Sequence, residues 1–157
     1  GAVKLNDALR ESLPSLLKDF DIIHLCGKGH KEESLEGTKG YRQFEYVTDG
    51  LADLFAATDV IIARAGSNSI SEFLALKKPH LLIPLSAKAS RGDQILNAAS
   101  YEKQGFAMVL PEEELTAATM EEKVRELYAN RETYIAAMEK STQNNGVEAV
   151  MALIRQF

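Results

Sequence analysis

The feature that most constrains the fold is a unit that recurs along the chain: a short apolar run, a glycine-containing or polar loop, and a helical pattern. The continuous apolar runs cover residues 21–26, 60–63, 80–85 and 106–110, and residues 41–47 alternate as a further strand would. Continuously apolar strands are typical of parallel sheets that helices cover on both faces. The pattern therefore predicts an α/β fold, a Rossmann-like parallel sheet with helices on both faces.

Helical spacing of apolar residues fills the segments between these runs. Helices are expected over residues 3–20, 51–58, 67–78, 93–104 and 111–157, with a separate final helix at 147–156. Within the last stretch, Thr116, Thr119 and Asn130 lie near likely helix starts. Pro14 either kinks the first helix or begins a second piece. His24 falls inside an apolar run and is predicted to be a hydrogen-bonded core histidine.

Composition narrows the function classes. The 157 residues suffice for one domain with a buried core, and 45% hydrophobic residues is ordinary for a globular protein. A net charge of −5 argues against a broad electrostatic hold on nucleic acid. The single cysteine, Cys26, indicates a reduced, cytosolic setting and forms no metal-binding pattern. The chain begins without an initiator methionine, as an excised fragment would.

One of the recurring units carries a candidate ligand site. Residues 60–72, V-I-I-A-R-A-G-S-N-S-I-S-E, pass from the apolar run through Gly66 into a helix that carries Glu72. Free N–H groups at such a helix start can face an anion, and a glycine allows a ligand close to the backbone. A second interpretation stays open here, because Ser69 to Glu72 also fits a capping box in which the carboxylate only reaches back to its own helix start.

The loops that follow the predicted strands favour the ligand interpretation. They cover residues 27–30, 47–50, 66–69 and 86–94, and all carry glycine or polar residues. In a parallel sheet such loops meet at the carboxyl edge, which is where α/β proteins bind their ligands.

Three segments resemble the donor-binding half of the MurG family. They are residues 47–49 (V-T-D), 59–72 (D-V-I-I-A-R-A-G-S-N-S-I-S-E) and 90–98 (S-R-G-D-Q-I-L-N-A), and the resemblance covers essentially the whole chain. The family comprises bacterial transferases that add N-acetylglucosamine to the lipid-linked muramyl-pentapeptide precursor of peptidoglycan. The resemblance implies that residues 1–157 are the C-terminal, UDP-N-acetylglucosamine-binding domain of a GT-B glycosyltransferase, without the acceptor-binding domain. Residues 1–6 resemble the tail of a family loop whose diphosphate-binding serine is absent here.

The resemblance also implies roles for individual residues. Val47 matches the position whose backbone recognises uracil, and Glu72 matches the carboxylate that holds the ribose hydroxyls. The segment matching the diphosphate- and sugar-binding helix start comprises Gly66, Ser67, Asn68, Ser69, Ile70 and Ser71.

A second group of matches lies on other elements. Gln94 matches the amide that binds the N-acetylglucosamine hydroxyls, and Asn97, one helical turn on, is expected to face the same cleft. Asp93 stands where some relatives carry a second glutamine. Arg64 matches a family arginine that either counters phosphate charge or braces the neighbouring loops.

The implied reaction is an inverting transfer from UDP-N-acetylglucosamine to a lipid-linked sugar hydroxyl. The sequence offers no catalytic base, so no catalytic residue is assigned in this chain, and the fragment alone is expected to be inactive. No metal and no cofactor are predicted. The expected partners are the donor and, through the missing domain, the lipid-linked acceptor and the membrane, with no nucleic acid. The full-length enzyme is expected to be cytoplasmic and peripheral on the inner face of the cell membrane.

Three alternatives stay open. The chain could belong to another nucleotide-sugar enzyme, such as a different glycosyltransferase or a UDP-sugar epimerase. It could be a stand-alone donor subunit recruited by a membrane partner, as in the eukaryotic dolichol pathway. It could also be a non-enzymatic Rossmann-like module, in which Glu72 caps its helix and Gln94 is a surface amide.

Overall fold

The structure is a computed structural model, and it describes residues 2–47, 49–86 and 92–141. The final helix predicted over residues 147–156 lies outside the described residues. No helix in the described part is long and apolar enough to cross a membrane.

Strands and helices alternate along the described chain. In order they are α1 (Ala2–Leu16), β1 (Ile22–Leu25), β2 (Tyr41–Phe44), α2 (Leu51–Ala57), β3 (Ile61–Ala63), α3 (Ser67–Ala75), β4 (His80–Leu82), α4 (Asp93–Lys103), β5 (Ala107–Val109), α5 (Ala117–Ala129) and α6 (131–141). Single 3₁₀ turns form at Glu33–Leu35 and Glu112–Glu114.

The predicted boundaries need two corrections. Pro14 lies within α1 and does not begin a second helix, and α1 ends at Leu16, before the predicted end at residue 20. The stretch after Pro111 was predicted to be helical in pattern, with Thr116 near a likely helix start. It forms the 3₁₀ turn Glu112–Glu114 and a loop, and α5 begins at Ala117, directly after Thr116. Thr116 is the N-cap residue of α5. Its side chain accepts a hydrogen bond from the Thr119 N–H group, and the Thr119 hydroxyl oxygen accepts one from the Thr116 N–H group.

All strand pairs are parallel, as the apolar runs predicted. Strand β1 pairs with β2, and β4 lies between β3 and β5. Hydrogen bonds thus place the described strands in two parallel groups. Helix α1 connects the groups through one core, in which Ile22 of β1 packs against the same cluster as Leu81 of β4.

Both faces of the β3–β4–β5 group are covered. The core beneath α1 and α5 includes Leu9, Leu16, Leu81, Met108, Met120 and Leu127. The core beneath α3 and α4 includes Ile61, Ile70, Phe73, Leu82, Ala98 and Ala107. Neighbouring residues such as Leu81 and Leu82 belong to different cores because successive side chains in a strand point to opposite faces. The predicted helix cover on both faces is confirmed.

His24 is a core histidine, as predicted. It is 6% exposed on β1. Its ring lies 2.7 Å (Nδ1) from the Tyr41 hydroxyl and 2.8 Å (Nε2) from Asn6 Oδ1, and Asn6 Nδ2 donates to the Cys26 carbonyl at 2.9 Å. These bonds join α1 to β1 and β2, so the ring satisfies a buried polar network.

An aromatic cluster lies at the amino end of the β3–β4–β5 group. Phe73 stands between Phe55 and His80, with both ring-centroid distances at 5.2 Å. Tyr101 continues the cluster, 5.8 Å from His80 and 5.5 Å from Phe106. Three of these four contacts are edge-on and the Phe73–His80 contact is tilted. Edge-on aromatic contacts stabilise a core beyond the burial of their area.

His80 is the titratable member of this cluster. The side chain is fully buried, and its Nδ1–H group donates to the Lys78 carbonyl at 2.8 Å. Its Nε2 atom has no hydrogen-bond partner in the described structure. Burial lowers the pKa of His80 to about 4, although the bond to Lys78 acts in the opposite sense.

We predict that acid destabilises the domain through His80. The pKa of the ring is about 6.5 in the unfolded chain and about 4 in the folded chain. The contribution of the neutral ring to the unfolding free energy is therefore complete above pH 6.5 and is lost as the pH falls towards 4. The loss amounts to about 3 kcal/mol. His80→Asn, which keeps a short N–H donor, should reduce the fall in unfolding free energy between pH 6.5 and 4, measured by urea denaturation. It should not abolish that fall, because burial also lowers the pKa of His24 to about 4. The exposed His30, replaced by Asn, is the control, and equal pH slopes in the two variants would contradict the prediction.

Candidate functional site

The candidate site lies at the carboxyl edge of the β3–β4–β5 group. The hydrogen bonds between neighbouring strands continue one residue past the ends of β4 and β5. The Ile83 N–H group donates to the Ala63 carbonyl and the Leu110 N–H group to the Leu82 carbonyl, both at 2.9 Å. Because the strands are parallel, the three segments that follow them emerge side by side. Polar residues of these segments and of α4 make the contacts described below.

The first turn of α3 is open to solvent. Gly66 is its N-cap residue in an extended conformation, and no side chain caps the helix. The first bond across the turn runs from Ile70 N–H to the Gly66 carbonyl at 3.1 Å. The N–H groups of Ser67, Asn68 and Ser69 therefore find no acceptor among the described residues, and their side chains are exposed. This is the arrangement that binds anions at a helix start.

The capping-box interpretation of Glu72 is wrong. A capping box would need Ser69 as the N-cap residue, but the helix begins at Ser67 after Gly66. Ser69 therefore lies inside the first turn. The Glu72 carboxylate is half-buried and accepts no hydrogen bond from the described residues. It thus retains its acceptor capacity.

The backbone at Gly66 has open space beside it. A Cβ atom built there would meet no heavy atom within 4 Å, and the residue has an ordinary φ of −68°. Neither strain nor crowding within the described chain requires glycine at this position. The open space is compatible with the predicted close approach of a ligand.

Gln94 ties two of the edge segments together. Its Oε1 atom accepts from the Ala65 N–H group at 3.3 Å and from the Leu85 N–H group at 3.0 Å. One turn on, Asn97 Nδ2 donates to the Ala65 carbonyl at 3.0 Å. Helix α4 thereby holds the residue that precedes Gly66 by both of its backbone polar groups. Since the carboxamide oxygen must face the two donors, the Gln94 NH₂ group remains as a donor.

Arg64 forms the second tie at this edge. It donates to the Ile83 carbonyl and to Glu112 Oε1, both at 3.1 Å. The ion pair is mostly buried, with 18% of the Arg64 side chain and 15% of the Glu112 side chain exposed. Glu112 Oε2 accepts from the Ser86 N–H group at 3.2 Å. Of the two roles predicted for Arg64, the structure supports bracing of the neighbouring loops.

The charges around Glu112 keep it ionised. Burial of the carboxyl group opposes ionisation, but Arg64, the Ser86 N–H group and Lys4 outweigh that effect and hold the pKa of Glu112 below its ordinary value. The backbone carbonyl of Glu112 also accepts from Lys4 Nζ of α1 at 2.6 Å.

Four other predicted site residues lie in different parts of the structure. Ile70 is 4% exposed in the core, and its N–H group is already bonded within α3. Ser71 Oγ donates to the Ser67 carbonyl at 2.8 Å, and Asp93 is exposed at the start of α4. Val47 is half-buried beyond the end of β2, and no hydrogen bond of the described residues joins it to α3. Contacts of these four residues with a ligand stay predictions.

Sequence reasoning missed Glu112. The assumption of a helix from Pro111 onwards concealed that this glutamate lies in the segment that leaves the buried strand β5, three positions after Val109. A polar residue at the carboxyl end of β5 was the signal that could have identified it.

Comparison of the sequence with known protein families identifies the type of domain to which this site belongs. The family described as "Glycosyltransferase family 28 C-terminal domain" matches residues 1–154. The chain belongs to this family.

Relatives with similar sequences bear one name. The chain is 57% identical over 155 residues to a protein of Lachnospira eligens and 55% identical over 155 residues to one of Geobacillus thermodenitrificans. Both are named UDP-N-acetylglucosamine--N-acetylmuramyl-(pentapeptide) pyrophosphoryl-undecaprenol N-acetylglucosamine transferase. These alignments cover 99% of this family 28 domain and 44% of each relative, so the chain spans less than half their length.

Solved structures show the same fold. Acinetobacter baumannii MurG matches with a TM-score of 0.68 and 24% identity, over 96% of this chain and 46% of that one. Glycosyltransferase VinC, in complex with dTDP, matches with a TM-score of 0.71 and 18% identity, over 98% of this chain and 39% of that one. The predicted α/β, Rossmann-like C-terminal half of a GT-B glycosyltransferase is confirmed.

We predict that the carboxamide oxygen of Gln94 stabilises the site. Gln94→Leu deprives Ala65 N–H and Leu85 N–H of their shared acceptor and should lower the unfolding free energy by about 1–3 kcal/mol. Gln94→Glu keeps an acceptor oxygen in place and should lose much less. Urea denaturation measures both values, and equal losses in the two variants would show that the side-chain oxygen does not hold the loops.

Proposed function

We propose that residues 1–157 are the donor-binding domain of an inverting glycosyltransferase. The enzyme moves N-acetylglucosamine from UDP-N-acetylglucosamine to the lipid-linked muramyl-pentapeptide precursor of peptidoglycan. The observation that carries the proposal is the uncapped first turn of α3, whose N–H groups are open at the carboxyl edge of the sheet. The names of relatives that are more than half identical along the whole chain support the choice of donor and acceptor.

The first turn of α3 binds the diphosphate in this proposal. During transfer, the bond between C1 of the sugar and the β-phosphate oxygen breaks while C1 forms a bond to an acceptor hydroxyl oxygen. Negative charge builds on the departing UDP as the sugar takes on oxocarbenium character. The N–H groups of Ser67, Asn68 and Ser69, together with the positive end of the helix dipole, stabilise that charge. Gly66 leaves the phosphate room to reach the backbone.

Glu72 and α4 provide the remaining donor contacts. The Glu72 carboxylate, which has no acceptor role within the described chain, accepts hydrogen bonds from the ribose hydroxyls. The Gln94 NH₂ group donates to the hydroxyls of N-acetylglucosamine, while its oxygen holds the loops. Val47 binds uracil through its backbone. Asn97 faces the same cleft.

The acceptor hydroxyl loses its proton to a base outside this chain. The acceptor-binding domain supplies that base in the proposal, and it also provides the contact with the membrane. We place the whole enzyme in the cytoplasm, peripheral on the inner face of the cell membrane. We expect no binding of nucleic acid, since the chain carries a net charge of −5.

We predict that the 157-residue chain selects uridine nucleotides. Calorimetric titration with UDP, UDP-N-acetylglucosamine, UDP-glucose and GDP should give UDP an affinity roughly tenfold or more above that of GDP, because a site that hydrogen-bonds one base leaves its groups unpaired with another. Equal affinity for UDP and GDP would overturn the assignment to a uridine-dependent transferase, and no binding of any nucleotide would favour a non-enzymatic module.

We predict that Glu72→Gln weakens UDP binding roughly tenfold while changing the melting temperature by about 2 °C or less. Replacing a carboxylate with an amide removes charge-assisted hydrogen bonds to the ribose, whereas the side chain has no partner in the described structure to lose. Glu122→Gln, on the exposed face of α5, removes the same charge and serves as the control. A large fall in melting temperature with unchanged affinity would assign Glu72 a structural role instead.

A further inference from the structure

Three segments that are distant in the chain meet at Glu112. Its carboxylate accepts from Arg64, which directly follows β3, and from the Ser86 N–H group, which follows β4. Its backbone carbonyl accepts from Lys4 at the start of α1. No other carboxylate among the described residues joins these segments.

Arg64 transmits this contact to the candidate site. It lies two positions before Gly66, and its guanidinium group is fixed at one end by the Ile83 carbonyl and at the other by Glu112. The next residue, Ala65, is fully buried and is held by Gln94 and Asn97. The backbone that leads into α3 is therefore held from two sides. Helix α4 holds it through side-chain amides, and the 3₁₀ turn Glu112–Glu114 holds it through a mostly buried ion pair.

The two sets of contacts, from α4 and from Glu112, hold different parts of the backbone. Gln94 and Asn97 hold the peptide groups of Ala65 directly. Glu112 acts one residue earlier and simultaneously on Ser86, so it sets the loop after β3 relative to the loop after β4. A planar guanidinium bonded to two fixed acceptors has little freedom to shift. Loss of the carboxylate would release that constraint without removing any N–H group of the first turn.

We propose that Glu112 is a positioning residue for the donor diphosphate, acting through Arg64 and the Ser86 N–H group on the first turn of α3. The inference rests on the proposed function. Glu112 itself touches no substrate in this scheme. Its role is to hold the N–H groups of the first turn at the spacing that a diphosphate requires, since misplacement of binding groups by a fraction of an ångström weakens such contacts.

The test compares UDP with UMP on the 157-residue chain. Glu112→Gln should weaken UDP binding roughly tenfold and UMP binding much less, because only UDP presents the β-phosphate to the first turn of α3. A merely structural role would lower stability and leave the ratio of the two affinities unchanged. Glu113→Gln, on the same 3₁₀ turn and exposed, removes an equal charge and should leave both affinities unchanged.

Arg64→Lys provides an independent variant. Lysine keeps the charge but cannot span Ile83 and Glu112 with a rigid fork, so the same selective loss of UDP affinity is expected. Because both side chains act through one ion pair, the double variant should lose little more than either single variant. Titrations are run well below the melting temperature of each variant, so that folded protein is compared throughout.

The outcomes separate the two proposals. A selective loss for UDP in both variants supports the positioning role. If the wild-type chain binds UDP, and both variants bind it equally well or lose UDP and UMP in equal proportion, the positioning role is overturned while the donor-binding proposal stands. If the wild-type chain binds no uridine nucleotide, the donor-binding proposal fails, and the role of Glu112 fails with it.

Discussion

The carboxyl edge of this domain depends on one shared hydrogen-bond acceptor. Where parallel strands end, the N–H groups of the departing chain lose their ladder partners and still need acceptors. Here the single carboxamide oxygen of Gln94 serves Ala65 and Leu85, which leave neighbouring strands. The loops after β3 and β4 are thereby fixed by a helix that packs on the sheet. A ligand site that is built on loops gains the order of the core beneath it.

Helix starts in this chain follow two different rules. At the start of α5, Thr116 and Thr119 satisfy each other's backbone donors in a reciprocal capping box. At the start of α3, Gly66 offers no side chain, and the donors of the first turn stay open. Helices α2 and α4 also begin after an N-cap glycine without a side-chain cap, so the absence of a cap does not by itself distinguish α3. What distinguishes α3 is its place at the carboxyl edge of the sheet, directly after β3.

Much of the fold could be predicted from the sequence because burial on both faces of the sheet imposes continuous apolar runs. The strands and the helix cover follow from that constraint, and Gly66 and Glu72 could be picked out because a glycine between a strand and a helix is a local signal. The contacts of Glu112 could not be predicted in this way, although its position after a strand was a signal. Its partners Arg64 and Ser86 are distant in the chain, and periodicity does not report such contacts. The bonding of the Gln94 oxygen also had no local signal, since the same amide could have faced solvent.

The side chains of the open turn have a consequence for how such domains diversify. Ser67, Asn68 and Ser69 are exposed, while the packing of α3 relies on Ile70 and Phe73 beneath them. Substitutions at the three exposed positions leave the hydrophobic core and the N–H groups of the backbone intact. Evolution can therefore change the chemistry that meets a ligand without weakening the fold that presents it. Folding and recognition are encoded in different residues of the same turn.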